Sequence, residues 1–126
     1  MKVVRLDHVQ LAMPAGAEPK ARAFYGGLLE LQEIPKPSEI ASRGGVWFQC
    51  GSLQLHLGIE SDFRPARKAH PALVIEGYAE LLAALVATGY DVIEDTSIPA
   101  VIRCFTFDPF GNRIELISTD AAKLRE

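Results

Sequence analysis

The chain has 126 residues, enough for one domain with a real core and too few for two of ordinary size. Its formal net charge of −3, with 48% hydrophobic and 23% charged residues, fits a soluble globular protein and carries no basic footprint for nucleic acid. No apolar run reaches membrane-spanning length, and Met1-Lys2-Val3-Val4-Arg5 starts straight into a strand pattern without a signal-peptide core, so a cytoplasmic protein is expected. The two cysteines, Cys50 and Cys104, lie inside strand-like runs and read as small buried hydrophobes in a reducing compartment.

Val3 to Ala12 alternates apolar residues with Arg5, Asp7 and Gln10, which predicts a strand with Leu6, His8 and Gln10 on one face. Pro14 to Ala17 is a loop. Glu18-Pro19 opens a helix, with Ala21, Phe24, Tyr25, Leu28 and Leu29 at helical spacing to about Glu30. Leu31 to Ile34 is a short strand stopped by prolines, and Ser38 to Arg43 a connection. Val46–Cys50 and Leu53–Ile59 form a hairpin about Gly51-Ser52, with Gln54, His56 and Gly58 on one face of the return strand. Glu60 to Ala69 is a polar linker.

The order then repeats. His70 to Ile75 is a strand, Tyr78 to Thr88 a helix closed by Gly89, and Tyr90 to Ile93 a short strand. Asp95 to Ala100 is a loop and Val101 to Phe107 a strand. The turn Asp108-Pro109-Phe110-Gly111-Asn112 leads into the last strand, Arg113 to Ser118, and Thr119 to Glu126 is a charged tail with a helical turn. The reading is βαβββ, linker, βαβββ. It describes a single α+β domain, 1–126, made of two tandem modules at about 3–59 and 70–118 with the linker at 60–69.

The chain has only three histidines, and their positions follow the repeat. His8 and His70 stand on the first strand of each module, 62 residues apart; His56 and Glu115 stand on the last strand of each, 59 apart. Glu115 interrupts an apolar strand between Ile114 and Leu116, and a carboxylate on an inward face is costly unless paired or bound to a metal. Singly, each residue has a plainer reading: His56 as a satisfied core histidine, His8 and His70 as structural residues, Glu115 paired with Arg103 or Arg113. Together, at symmetry-related positions, His8, His56, His70 and Glu115 predict a site for a divalent transition metal, with Fe, Mn, Co, Ni and Zn all open. Such an ion polarises a carbonyl, stabilises an enediolate, or binds a catecholate and dioxygen.

Leu6-Asp7-His8-Val9, Ala23-Phe24-Tyr25 to Leu28-Leu29, His70, and Asp108-Pro109-Phe110-Gly111-Asn112-Arg113-Ile114-Glu115 also carry a resemblance. Over about Val3 to Ser118 the chain resembles the vicinal oxygen chelate superfamily, the glyoxalase, bleomycin-resistance and extradiol-dioxygenase group. The resemblance implies two βαβββ modules whose sheets form a curved, barrel-like mixed sheet with flanking helices. It also implies a homodimer, a small-molecule substrate and ligands at His8, His56, His70 and Glu115. The chain departs from the glyoxalase I pattern at His56, where that enzyme has a carboxylate, so Glu115 is left as ligand and as catalytic proton carrier. His8, His70 and Glu115 alone resemble the two-histidine, one-carboxylate set of extradiol dioxygenases and fosfomycin-modifying enzymes. Gln10, Gln54, Trp47, Arg103 and Phe105 lie on the strands that carry the site and are expected at the substrate; Arg103 can equally pair with Glu115. The expected activity is a metal-dependent lyase or isomerase acting through an enediolate. The alternatives are an extradiol-type dioxygenase and a non-catalytic drug- or metabolite-binding protein of the bleomycin-resistance kind.

Overall fold

The structure, a computed structural model, describes residues 1–119, so all but the first residue of the expected charged tail lies outside the described residues. The chain divides into two compact units, the first Met1–Pro65 and the second beginning at Ala66, a boundary inside the expected linker. Each unit is a βαβββ module with its own four-stranded mixed sheet, so the fold is α+β and built from a tandem repeat.

In the first unit, β1 (His8–Met13) lies parallel to β4 (Leu53–Ile59), followed outward by β3 (Val46–Cys50) and β2 (Gln32–Ile34), both antiparallel to their neighbours. Strand pairing starts at His8 rather than at Val3. The reason is β4, the strand beside β1, which begins at Leu53 after the Gly51-Ser52 turn. The last contact back along the chain is the Gln54 N–H to the Asp7 carbonyl at 3.4 Å. Residues ahead of it overrun the sheet, leaving Val3 and Val4 exposed.

Two periodicities build this unit's core. Leu11 and Met13 of β1, Val46 and Phe48 of β3, and Leu55 and Leu57 of β4 bury one face of the sheet. The helix expected from Glu18 to Glu30 supplies the other layer but changes its winding. α1 (Glu18–Ala21) is α-helical, while Arg22–Leu28 is π-helical, closed by the Leu29 N–H to the Phe24 carbonyl at 2.9 Å. Wider winding turns consecutive side chains through a smaller angle. Phe24 and Tyr25 are therefore both fully buried, edge to face at 4.9 Å, with Tyr25 against Phe48 at 5.8 Å. Gly45 enters β3 at φ 88°, where a Cβ would stand 2.5 Å from the Leu57 carbonyl oxygen.

In the second unit the order is β5 (Ala72–Ile75), β8 (Arg113–Ser118), β7 (Arg103–Phe107), β6 (Ile93–Glu94), with β5 parallel to β8. α2 (Tyr78–Ala87) packs on the face carrying Cys104, Thr106, Ile114 and Leu116, and buries Leu85. It ends as the sequence predicts: Gly89 adopts φ 93° and the Tyr90 N–H reaches back to the Leu85 carbonyl. Cross-strand pairs Phe105–Glu115 and Phe107–Arg113 put Arg103, Phe105, Phe107, Arg113 and Glu115 on the opposite face.

The Asp108–Asn112 turn fixes that face. Asp108 Oδ1 accepts the backbone N–H groups of Phe110 and Asn112, and Oδ2 accepts from the Asn112 side-chain amide. Asn112 Oδ1 in turn accepts the Ala66 N–H at 3.0 Å, and the Arg113 N–H donates to the Ala66 carbonyl at 2.8 Å. With the Glu115 N–H on the Pro71 carbonyl at 3.0 Å, residues 66–71 are laid along β8. The strand expected from His70 thus becomes an ordered approach to β5.

Candidate metal centre

In the first unit, Gln10 of β1 is the register partner of His56 on β4, and His8 stands two residues before Gln10. The two imidazoles stack with centroids 4.3 Å apart and 17° between planes. Trp47, the cross-strand partner of His56 on β3, lies on that ring at 3.7 Å and 2°. His56 is therefore the middle layer of three rings and only 3% exposed. Burial, and then the neighbouring His8, lower its pKa and favour the neutral imidazole. Its Nε2 meets Gln54 Oε1 at 2.9 Å, so Nδ1 is the nitrogen without that partner.

His8 sits at the open edge. Its Nδ1 donates to Asp7 Oδ2 at 2.9 Å, which leaves Nε2 outward. Asp7 also accepts from Arg5 Nη1 at 3.2 Å, and the His8 hydrogen bond is the largest cause holding its carboxyl below the usual range. A carboxylate holding one ring nitrogen is the support a metal-ligating histidine uses.

In the second unit, Ala72 is the register partner of Glu115, and His70 stands two residues before Ala72. This repeats the relation of Gln10, His56 and His8. His70 donates from Nδ1 to the Lys68 carbonyl at 2.8 Å, and its Nε2 meets Glu115 Oε1 at 3.0 Å. The other oxygen, Oε2, accepts from Arg103 Nη1 at 3.3 Å. Arg103 is itself held by Asp95 Oδ2 at 3.3 Å and Ser97 Oγ at 3.1 Å. Hydrogen bonds from Ser97, first from its hydroxyl, keep the Asp95 carboxyl low. Phe105 lies beneath the cluster, edge-on to His70 at 5.4 Å.

No family model and no curated protein matches the chain. Solved structures do. One, a protein of the glyoxalase family from Bacillus anthracis, is 47% identical, with a TM-score of 0.88 over 94% of this chain and 97% of that one. The chain belongs to the glyoxalase family of the vicinal oxygen chelate superfamily. Two more distant structures share the glyoxalase fold. The fosfomycin resistance protein FosX of Listeria monocytogenes is 16% identical, with a TM-score of 0.75 over 93% of this chain and 94% of that one. The lactoylglutathione lyase of Agrobacterium tumefaciens is 18% identical, with a TM-score of 0.70 over 95% and 97%.

Each glyoxalase module thus brings together two of the four predicted ligands. Among the described residues no group of three or more His, Cys, Asp or Glu side chains is placed to hold a metal ion. The donor chemistry within each pair nonetheless fits one: His8 and His56 each have one ring nitrogen engaged and the other turned away from that partner, and His70 Nε2 and Glu115 Oε1 are two donor atoms facing one another at 3.0 Å. The residues expected at the substrate fall into two groups. Gln54 and Trp47 hold His56, and Arg103 and Phe105 hold the His70–Glu115 pair. Gln10 is exposed and lies across Gly58, where a Cβ would stand 2.6 Å from its amide nitrogen. Asp7, Asp95 and Ser97 were not singled out from sequence. The adjacency Asp7-His8 carried a signal for the first; the other two are joined to Arg103 only by folding.

Proposed function

We propose that this glyoxalase family protein is a divalent-metal-dependent enzyme of the lyase or isomerase type acting on a small, oxygen-rich substrate. His8, His56, His70 and Glu115 would hold the ion, and a divalent ion so held supplies Lewis acidity toward vicinal oxygens. The observation that carries the reading is the repeated register. In both modules a histidine stands two residues before the partner of a second donor on the parallel strand, at His8 with His56 and at His70 with Glu115. Packing alone gives no reason for polar donors to recur at that offset.

Glu115 takes the proton. It is the one carboxylate in the set, it is buried, and His70 Nε2 and Arg103 Nη1 stand at its two oxygens. The Arg103 guanidinium holds the Glu115 side chain in position, and Asp95 keeps that guanidinium in place. Trp47 and Gln54 fix the His56 ring, so metal binding costs little reorganisation there.

Exposed Val3, Val4 and Leu6 support a homodimer, and free Cys50 and Cys104 support a cytoplasmic location. Metal analysis coupled to turnover tests the reading. Bound Ni, Co or Zn with hemithioacetal turnover, lost in Glu115→Gln, is the expected result. Bound iron with oxygen uptake on catechols would replace it with the dioxygenase reading. A protein that binds drug or metabolite without metal or turnover would replace it with the sequestering one.

A further inference from the structure

Two arginines approach the Phe105 ring, and their situations differ. Arg103 has its guanidinium carbon 5.5 Å from the ring centroid and is engaged by Glu115, Asp95 and Ser97. Arg113 lies closer, at 3.9 Å, and its side chain has no ion pair or hydrogen bond among the described residues. Its Nε is buried and unpartnered. A guanidinium is always charged, and leaving one half-buried without an anion is costly. Contact through its face leaves the in-plane N–H donors unused, and that fork matches the two oxygens of a carboxylate or phosphate. Register sets Arg113 two residues from Glu115 on the same face of β8, so an anion held there lies beside the His70–Glu115 pair.

We propose that Arg113, backed by Phe105, is an oxyanion-binding site that selects substrates bearing a carboxylate or a phosphate-type group. The inference rests on the proposed small-molecule site but not on its metal. Arg103 cannot take this part while it neutralises Glu115 and Asp95, whereas Arg113 has no such commitment. Phe105 contributes the surface that keeps the Arg113 fork oriented, and Arg103 and His70 also contact that ring.

The test is an NMR titration of the full chain, stripped with chelator, following arginine Nε–Hε resonances while inorganic phosphate or acetate is added. Arg113 is assigned by the signal lost in Arg113→Met. The expected result is a saturable shift of that signal, with binding weakened about tenfold or more in Arg113→Met, the scale of a lost charge-assisted hydrogen bond. Arg113→Lys, which keeps the charge but not the fork, is expected to fall between, and Arg64→Met in the first unit to bind as wild type. Whichever anion saturates at lower concentration names the group recognised. Absence of a saturable shift with both anions, or unchanged binding in folded Arg113→Met and Arg113→Lys, overturns the proposal. Since no metal is present, its failure is separable from failure of the metal reading.

Discussion

At the scale of single residues, each imidazole commits one ring nitrogen to a support within the protein. His8 uses it on Asp7, His56 on Gln54 and His70 on a backbone carbonyl. Replacing such a support weakens a metal by about 10–100-fold while sparing the fold. Asp7→Asn is therefore expected to lose metal affinity by that factor with unchanged circular dichroism and melting, checked by chelator competition. Trp47 is the sole tryptophan and lies flat on His56, so its emission reports on that ring. His56→Ala is expected to change the Trp47 emission and to cost the aromatic stack, about 0.5–1.5 kcal/mol beyond the burial of the ring. An unaltered spectrum would show that the two rings do not stack in solution. Histidine and carboxylate positions were legible in the sequence because they are rare and follow the repeat. Their partners were mostly not, since Asp95 and Ser97 reach Arg103 from a loop whose path no local pattern encodes.

At the scale of elements, alternation and turn residues placed the strands well, and the departures have physical causes. β1 begins at His8 because β4 starts only one residue before its partner Gln54, directly after the Gly51-Ser52 turn, a fact of two segments about 45 residues apart. The switch to π winding after Ala21 lets Phe24 and Tyr25 both reach the sheet, and apolar spacing alone reads as an ordinary helix. The Asp108–Asn112 turn was legible as a turn. Its second task, fastening Ala66 so that the approach to His70 lies along β8, was not. Asn112→Ala strands the Ala66 N–H and removes the amide contact to Asp108 Oδ2, and is expected to destabilise by about 2–3 kcal/mol in urea unfolding. Gly45→Ala places a Cβ against the Leu57 carbonyl at positive φ, and a loss of about 1–3 kcal/mol is expected from the same measurement.

At the scale of the whole molecule, the tandem βαβββ order was legible in the sequence, and membership of the glyoxalase family follows from a 47% identical structure matched over 94% of the chain. That likeness does not choose a substrate, since proteins of the same fold include a fosfomycin resistance protein and a lactoylglutathione lyase. What this chain adds is its own proposed donor set, three histidines and one glutamate placed as two register-equivalent pairs. The exposed Val3, Val4 and Leu6 predict a dimer by sedimentation, shifted toward monomer in the double variant Val3→Asp, Val4→Asp.

The measurement that bears most directly on the central claim is metal content after stripping and reloading with Ni, Co, Zn, Mn or Fe(II), in wild type and in His8→Ala, His56→Ala, His70→Ala and Glu115→Ala. Stoichiometric binding in wild type, severely reduced in all four variants while the fold persists, is the predicted result. A wild-type protein that takes up none of these ions, or variants of either pair that bind as wild type, would contradict it.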